Sequence, residues 1–561
     1  MQESILVVGW DGATPELILS LAEVGRLPNL SKLMDHGTSG ILTSTVPPYS
    51  PPAWASFATG KDPGKHGVFD FYRRQPKTYH QSWIQARIRN CKPVWSLVSE
   101  AGGKVGIINV PMTYPPDKVN GFMISGFPIP AGRRDFTYPP DLLPKLCDEV
   151  GEYKVSMDPV FTHFSFFESL EDDFLRELYR VTETSTRASI FLLENFDWDL
   201  FIVVFTGSDR IQHYFWKHMD TKHYDHDPSR SKKYGSAILD YYCKLDEILG
   251  QLTARTNENT NVIVLSDHGF GPQYGEFYVN KWLVDLGLLR LKKKPRYARL
   301  LFSFGLAREN IQHLLVKLGL INLIERLPRN VRELMPESRF SLSDIDWSNT
   351  KAYSFGDFGE IYVNLRGREP EGIVEPGTEY ESIRNFIARE LYNIENPETG
   401  ERIIQKVFMK EDLYSGEFVS EAADLVFLSG YAKCRFQVPP ETGEKTRVGS
   451  EKVSALRVSG EQSGTHRING FFAMSGKFKE GLHINASIVD IAPTILYLMD
   501  LPVPLDMNGK ILDAAIDPSY MKSHPIRYEE AHPPEEHLEH ELSEDEMADL
   551  KNRLRSLGYI D

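Results

Sequence analysis

Five aspartate and histidine residues lie in or directly after short apolar runs of the sequence, and their side chains are of the types that bind divalent metal ions. The runs are SILVVGWDG, LFIVVFTGSD and NVIVLSDHG, and the residues are Asp11, Asp209, His213, Asp267 and His268. Asp209 and His213 are four positions apart, so a helix would place both side chains on one face. Carboxylates and imidazoles grouped in this way suit zinc or a similar divalent ion. The pattern therefore predicts a metal site.

Each of these residues also has a purely structural interpretation. Asp11 precedes a glycine, and an Asp-Gly pair is a common turn. Asp209 could cap the N-terminus of a helix. The combination favours the metal site, because all three segments place their ligands at the ends of predicted strands. In parallel α/β sheets, ligands bind beyond the carboxyl ends of the strands.

The segment VPPYSPPAWASFATG, residues 46–60, holds a serine between two pairs of prolines. Pro51 and Pro52 fit the first turn of a helix, and Gly60 fits its end. Ser50 is then predicted to be the N-cap. A helix N-terminus carries partial positive charge and favours phosphate, so a serine there could attack phosphorus and hold the phosphoserine that results. The structural alternative is a serine that only caps the helix.

The elements that must position these residues follow from the hydrophobic pattern. Continuous apolar, β-branched runs predict strands buried on both faces, and helical patterns lie between them. The runs occupy residues 4–12, 105–111, 200–209, 261–269 and 423–430, and the helical patterns include 237–252 and 487–501. This alternation predicts an α/β fold with a central, mostly parallel sheet.

Composition excludes several classes of protein. The chain has 63 basic and 78 acidic residues and a net charge of −15, which argues against general nucleic-acid binding. The four cysteines, Cys91, Cys147, Cys243 and Cys434, are far apart, so they indicate neither a disulfide scaffold nor a zinc knuckle. The sequence shows neither a secretory signal pattern nor a transmembrane run, and we expect a cytoplasmic protein. The oligomeric state cannot be read from the sequence.

The domain prediction has three parts. Residues 1–280 and 346–520 form a discontinuous catalytic core. Residues 281–345, which mix basic and apolar residues in a helical pattern, form a helical insertion that either packs on the core or contacts substrate or a membrane surface. Residues 521–561 form an acidic tail with a terminal helix, whose start is marked by a capping box of Ser543 and Glu546.

The order of these motifs resembles that of the alkaline phosphatase superfamily, and the nearest branch is the type I phosphodiesterase/nucleotide pyrophosphatase family. The family order is an aspartate, a nucleophile helix, Asp-x-x-x-His, Asp-His and a late histidine, which we assign to His466 in GEQSGTHRINGFFAMSG. Residues 27–40, 56–71 and 490–512 are similar to segments of the family. The resemblance covers about 1–280 and 420–515 and implies an alkaline-phosphatase-like three-layer sandwich.

The resemblance also implies roles for single residues. Ser50 would be the nucleophile and would form a covalent phosphoserine. Two divalent ions, zinc first and manganese or iron as alternatives, would bind a small phosphorylated substrate. Trp54 and Arg467 are further candidates for substrate contact. The implied ligand sets are Asp209, His213 and His466 for one ion, and Asp11, Asp267 and His268 for the other.

The chain departs from the family pattern near the nucleophile. The family usually has threonine there and an asparagine three residues later, whereas this chain has Ser50 and Ala53. We therefore expect backbone N–H groups to hold the phosphoryl oxygens. The sulfatase motif is incomplete in CKPVW, residues 91–95, which argues against a sulfatase. Residues 60–105 are too few for the domain that the related mutases insert after the nucleophile, which argues against a mutase.

The expected function is hydrolysis of a phosphodiester or a nucleotide-type pyrophosphate through Ser50 and two metal ions. Two alternatives use the same site, namely a phosphomonoesterase and a phosphotransferase with an alcohol acceptor. A third alternative belongs to a different class. It is a metal-stabilised protein without catalytic activity that uses the acidic tail and the insertion to bind partners.

Overall fold

The computed structural model describes residues 3–75, 77–79, 81–84, 86, 90–157, 167–292, 342–396, 399–430, 432–435, 456–457, 462–531 and 543–556. Most of the predicted insertion, namely residues 293–341, lies outside these residues. The helices of the described chain are Pro15–Glu23, Pro28–Asp35, Ser50–Thr59, Pro63–His66, Val94–Glu100, Leu142–Val150, Phe167–Asn195, Gly207–Met219, Pro228–Tyr234, Ala237–Thr253, Val279–Asp285, Thr378–Tyr392, Lys410–Leu413, Ile491–Leu498, Pro518–Ser523 and Glu544–Ser556.

A ten-stranded, mostly parallel sheet forms the centre of the molecule, which confirms the predicted α/β fold. The antiparallel pairings within it are those of Asn469–Ser475 with both its neighbours and of Gly121–Ile124 with Thr137–Tyr138. Across the sheet the strands are Leu482–His483, Gly37–Thr43, Asn469–Ser475, Thr260–Leu265, Ser4–Trp10, Leu200–Phe205, Val105–Ile108, Gly121–Ile124 and Thr137–Tyr138, with Ala486–Ser487 also beside Gly37–Thr43.

Helices cover both faces of this sheet, as in a three-layer sandwich. Both faces of the strand Ser4–Trp10 are apolar, so each face needs a covering layer. Leu6 and Val8 pack into one apolar cluster, and Ile5 and Val7 pack into another. The first cluster includes the helix Ala237–Thr253, and the second includes the helices Ser50–Thr59 and Ile491–Leu498. Strands buried on both faces read as continuous apolar runs, which is why the sequence revealed them.

A second lobe has an apolar cluster of its own, formed by residues between 277 and 427. Its antiparallel sheet contains Ala352–Ser354, Glu360–Val363, Leu425–Ser429 and Ile404–Met409, in that order. The apolar run at 423–430 was predicted to be a strand of the central sheet, and this prediction is wrong. A buried strand carries the same pattern in either sheet, so the pattern alone does not identify its neighbours.

Short strand pairs complete the described structure. The pairing that matters for the site joins Gly269–Pro272 to Gly464–Arg467 in antiparallel fashion. The others are Tyr72–Arg74 with Gln81–Trp83, Gly275–Tyr278 with Ala432–Arg435 and Leu456–Arg457, and Val503–Pro504 with Tyr528–Glu529. None of the described helices has the length and apolar character that crossing a bilayer requires.

The helix Glu544–Ser556, here called the C-terminal helix, lies where the terminal helix was predicted. The backbone N–H of Ser543 donates to Glu546 at 2.9 Å, and that of Glu546 donates back to the serine hydroxyl at 3.3 Å. Leu550 and Leu554 are buried in an apolar cluster that also contains Tyr49. This helix therefore packs into the apolar cluster that also contains the residue before Ser50.

Candidate metal and nucleophile site

Three neighbouring strands of the central sheet end at the site. Ser4–Trp10 lies between Leu200–Phe205 and Thr260–Leu265 and is parallel to both, so all three carboxyl ends meet at one edge. Asp11 follows the first strand. The helix Gly207–Met219, which follows the second strand, carries Asp209 and His213 on buried positions. The third strand leads to Asp267 and His268, which are also buried.

A glycine permits the close approach of these segments. Gly12 has φ +67°, a conformation that side chains rarely adopt. A Cβ atom there would lie 3.3 Å from the Asp209 Cα and 3.3 Å from the His268 ring. The backbone N–H of Gly12 also donates to Asp267 Oδ1 at 3.0 Å. The Asp-Gly turn that sequence offered as an alternative is therefore part of the site.

His466 reaches the site through the strand pair described above. It lies opposite Phe270 in the antiparallel register of Gly269–Pro272 with Gly464–Arg467. Its Nε2 is 3.1 Å from Asp209 Oδ1 and 3.1 Å from His213 Nε2. The structure thus brings the late histidine of the sequence to the two residues with which it was grouped.

The three histidines share one hydrogen-bonding arrangement, in which each Nδ1 faces a backbone carbonyl. The distances are 3.0 Å from His213 to Gly464 O, 3.0 Å from His268 to Gly269 O and 3.0 Å from His466 to Pro48 O. A carbonyl only accepts, so each Nδ1 carries the proton and donates it, and each Nε2 presents a lone pair. This is the tautomer that a metal ion needs.

The ligand atoms form two overlapping groups. In each group, the atoms lie within 4.8 Å of one another. Asp209 belongs to both groups, whereas the predicted ligand sets assign it to one ion. Asp267 is adjacent to the second group, with Oδ2 3.3 Å from His268 Nε2. The groups are Asp209, His213 and His466, and Asp11, Asp209 and His268.

The charges at the site call for a bound cation. Burial and the nearby carboxylates of Asp267 and Asp209 raise the pKa of Asp11 well above its usual value, and burial raises the pKa of Asp267 to about 8. Asp11 Oδ1 and Asp267 Oδ2 are buried and accept no hydrogen bond from any residue that the structure describes. Buried carboxylate oxygens without donors are costly, and a divalent ion would satisfy these two oxygens. The residues present therefore fit metal ions.

Ser50 lies at the edge of this cluster. Its Oγ is 3.2 Å from His268 Nε2, and because that nitrogen has no proton, the hydroxyl donates. The prediction that Ser50 is the N-cap is wrong. Tyr49 has the extended conformation of an N-cap, and its carbonyl accepts from Ala53 N at 3.0 Å, so Ser50 is the first helical residue.

The first turn of this helix offers fewer backbone N–H donors to the site than we expected. The first residues of a helix normally offer free backbone N–H groups to an anion. Here the second and third residues are Pro51 and Pro52, which have no N–H. The Ser50 N–H is then the single free donor of that turn. The expectation that backbone groups hold the phosphoryl oxygens therefore fails for most of this turn, and another donor is required.

Trp54 and Arg467 both hold neighbouring residues in place. Trp54 is buried, and its Nε1 donates to Asp11 Oδ2 at 3.1 Å. The Arg467 guanidinium donates to the carbonyl oxygens of Thr465, His466, Pro272 and Gly430. Their predicted contacts with substrate stay predictions, and the structure gives each a positioning role.

Comparison with known proteins agrees with this geometry. The family described as type I phosphodiesterase/nucleotide pyrophosphatase matches residues 5–415. The chain belongs to this family. It is therefore a hydrolase that acts on phosphoric ester bonds, within the alkaline phosphatase superfamily, and the family is metal-dependent. His466 lies beyond the matched residues, so its place in the site rests on the distances above.

Solved structures align with most of the chain at low sequence identity. Human ectonucleotide pyrophosphatase/phosphodiesterase 5 aligns with TM-score 0.47 and 11% identity over 91% of this chain and 97% of its own. Phosphonoacetate hydrolase from Sinorhizobium meliloti 1021, in complex with phosphonoacetate, aligns with TM-score 0.49 and 14% identity over 88% of this chain and 94% of its own. No curated protein sequence matches the chain.

The sequence of this phosphodiesterase family member did not identify Arg210 as a candidate site residue, although Arg210 directly follows the predicted metal ligand Asp209. Arg210 is buried, with Nη1 3.8 Å from Asp209 Oδ2. Its guanidinium lies 5.3 Å from the centre of the Phe127 ring. A basic residue in a helical pattern is usually exposed, and only its position beside Asp209 distinguished it from other arginines.

Replacing Trp54 by phenylalanine should weaken metal binding about tenfold, because loss of a residue that orients a ligand typically costs ten- to a hundredfold. The ring volume is largely kept, while the hydrogen bond to Asp11 is lost. Metal titration of the purified protein measures the effect. The matched control is Trp95→Phe, since Trp95 also donates to a carboxylate, that of Asp117, at 2.8 Å. Equal metal affinity in both variants would contradict the positioning role.

Proposed function

We propose that this chain is a phosphodiesterase that uses Ser50 as its nucleophile and two divalent metal ions as its cofactors. The observation that carries the proposal is the 3.2 Å distance from Ser50 Oγ to His268 Nε2. It places a serine hydroxyl against a buried cluster of three carboxylates and three imidazoles. A helix cap without catalytic function would not require these neighbours.

The ligand sets implied by the family resemblance support two ions. Zinc suits the mixture of imidazole and carboxylate ligands, and manganese or iron accept the same atoms. Bound ions would supply positive charge to the phosphoryl oxygens and lower the pKa of an attacking hydroxyl. The proposed sets are Asp209, His213 and His466 for one ion, and Asp11, Asp267 and His268 for the other.

Ser50 performs the covalent step. Its Oγ attacks the phosphorus atom, the bond from phosphorus to the departing oxygen breaks, and the departing alcohol takes up the hydroxyl proton. Water then attacks the phosphoserine, releases the phosphomonoester and restores the serine. Pro51 and Pro52 stiffen the backbone after Ser50, which keeps its hydroxyl directed at the cluster.

Arg210 is the donor that we propose for the phosphoryl oxygens. The helix start offers few N–H groups, and Ala53 stands where the family has an asparagine. Arg210 brings a permanent positive charge to within 3.8 Å of Asp209, inside the buried site. A guanidinium is well suited to phosphate because it donates two parallel hydrogen bonds.

Replacing Arg210 by methionine should lower kcat/KM for a phosphodiester about 100-fold, the cost of one lost donor to the transition state. Arg210→Lys should recover part of the loss, because charge returns without the paired geometry. Steady-state kinetics measure both. The control is Arg384→Met, since Arg384 is also buried but pairs with Glu411 in the second lobe. A loss equal to that in the control would contradict the role.

The proposal as a whole is tested by metal analysis together with an assay. The purified protein should contain two equivalents of zinc, manganese or iron and should hydrolyse bis(p-nitrophenyl) phosphate. Chelation should abolish the activity, and added metal should restore it. A metal-loaded protein that cleaves p-nitrophenyl phosphate but not the diester would favour a phosphomonoesterase instead. Formation of phosphorylated alcohols in the presence of glycerol would favour a phosphotransferase.

A further inference from the structure

The segment of residues 127–133, here called the 127–133 loop, follows a strand of the central sheet at the edge that holds the site. That strand, Gly121–Ile124, runs in the same direction as Leu200–Phe205, because the strand between them is parallel to both. Parallel strands end at one edge, so the 127–133 loop starts on the side of the metal ligands. Its first residue, Phe127, is buried, and the centre of its ring lies 5.3 Å from the guanidinium of Arg210.

The contact with Phe127 holds Arg210 by its charge. A cation is attracted to the face of an aromatic ring, and this attraction itself engages none of the guanidinium N–H groups as hydrogen-bond donors. An arginine side chain is long and has many rotamers, whereas a donor to a transition state must already point in the correct direction. Phe127 is therefore suited to hold Arg210 in the orientation that the proposed function needs.

The other end of the 127–133 loop is held by the C-terminal helix. The backbone N–H of Ala131 donates to Asp549 Oδ2 at 2.8 Å. Arg133 Nε donates to Glu546 Oε1 at 2.6 Å. Two acidic residues of the C-terminal helix thus fix the position of the loop that carries Phe127.

Apolar packing joins the same elements. Leu550 and Leu554 of the C-terminal helix lie in one buried cluster with Phe127. Phe71, in the same cluster, connects Phe127 to Tyr49, with ring centres 6.0 Å from the first and 5.4 Å from the second. The C-terminal helix therefore shares its core with residues beside the proposed phosphoryl donor and beside the nucleophile.

We propose that the C-terminal helix is a positioning element for catalysis, and that it acts on Arg210 through the 127–133 loop and Phe127. The proposal rests on the proposed function of Arg210. Phe127 contacts that donor and not the reacting atoms, so it is a positioning residue. The C-terminal helix thereby affects turnover although none of its described residues belongs to either group of metal ligands.

Replacing Phe127 by leucine tests the contact with Arg210, because leucine keeps much of the apolar volume and removes the ring face. We expect kcat/KM for bis(p-nitrophenyl) phosphate to fall about tenfold, the scale of a cation–π contact that is shielded from water. Metal content, measured on the same preparation, should not change. In the Arg210→Met protein the substitution should have no effect, because the group that Phe127 positions is then absent. Equal losses in both backgrounds would indicate a general disturbance of packing and would overturn the proposal.

The Arg210→Met background also separates the positioning role from the function on which it rests. If Arg210→Met leaves kcat/KM unchanged, the proposed function of Arg210 fails, and the positioning role fails with it. If Arg210→Met lowers kcat/KM and Phe127→Leu does not, only the positioning role is overturned.

Two substitutions on the C-terminal helix test its contacts with the 127–133 loop and leave the apolar core intact. Glutamine also serves in a capping box, so Glu546→Gln keeps the helix start. Combined with Asp549→Asn, it should lower kcat/KM about threefold, as expected for partly exposed charged contacts, and it should have no effect in the Arg210→Met protein. The matched control is Glu194→Gln, which weakens a comparable surface ion pair with an arginine and should leave kcat/KM unchanged. A double variant as active as this control would overturn the proposal.

Discussion

Replacing Ser50 by alanine should lower kcat for phosphodiester hydrolysis by at least about 1,000-fold, the scale seen when an enzyme loses its nucleophile. The hydroxyl is the single group that Ser50 contributes, and it lies 3.2 Å from His268. The substitution removes one buried oxygen and leaves the carboxylates and imidazoles in place. Metal content and thermal stability should therefore change little. Steady-state kinetics with bis(p-nitrophenyl) phosphate measure the loss, and acid-quenched protein from a radiolabelled substrate should carry phosphoserine only when Ser50 is present.

The same helix contains a matched control for this experiment. Ser56 is also buried and also contacts a histidine, with Oγ 3.0 Å from His66 Nε2. That pair lies outside the group of metal ligands, so Ser56→Ala should keep the activity per folded molecule. Full activity in Ser50→Ala would contradict the covalent mechanism. Equal losses in the two variants would mean that the helix, and not the hydroxyl of Ser50, determines turnover.

Replacing Asp209 by asparagine should remove the ion that it is proposed to hold with His213 and His466, and with it the activity. Its Oδ1 is 3.1 Å from His466 Nε2 and 3.3 Å from His213 Nε2, and it also belongs to the group around Asp11. We expect metal affinity to fall by at least about 100-fold, since indirect ligand contacts alone can cost that much.

Elemental analysis and kcat, measured on the same preparation, test the Asp209 prediction. The control is Asp246→Asn, because Asp246 is also buried but accepts hydrogen bonds from the backbone N–H groups of Asn29 and Leu30. That variant should lose stability and keep its metal. An Asp209→Asn protein that holds two ions with unchanged affinity would contradict the assignment of this residue to the metal site.

The sequence predicted four of the ten strands of the central sheet, and the candidate ligands that follow three of them, for one physical reason. Strands buried on both faces are apolar throughout, and parallel neighbours end at one edge, so ligands far apart in sequence could be grouped. His466 could be named only through resemblance, since its place depends on the pairing of Gly464–Arg467 with Gly269–Pro272. No periodicity in the sequence encodes such a pairing.

Other errors have equally specific causes. Ser50 was predicted as the N-cap because serine is preferred there, yet the cap conformation depends on backbone angles, and Tyr49 adopts it. Arg210 was missed because burial of an arginine is set by the surrounding fold. The strand Leu425–Ser429 was assigned to the wrong sheet because its pattern describes burial and not partners.

The site joins segments that are synthesised far apart in time. His466 donates to the carbonyl of Pro48 across 418 positions of sequence, and Arg133 pairs with Glu546 of the C-terminal helix across 413. Contacts of such long range form late and slow the folding of a chain. A nascent chain on the ribosome thus acquires its aspartates and its serine early, and it lacks the third imidazole until most of translation is complete. With the proposed ligand set, a fragment that ends before His466 has an incomplete metal site, so we expect it to lack hydrolase activity.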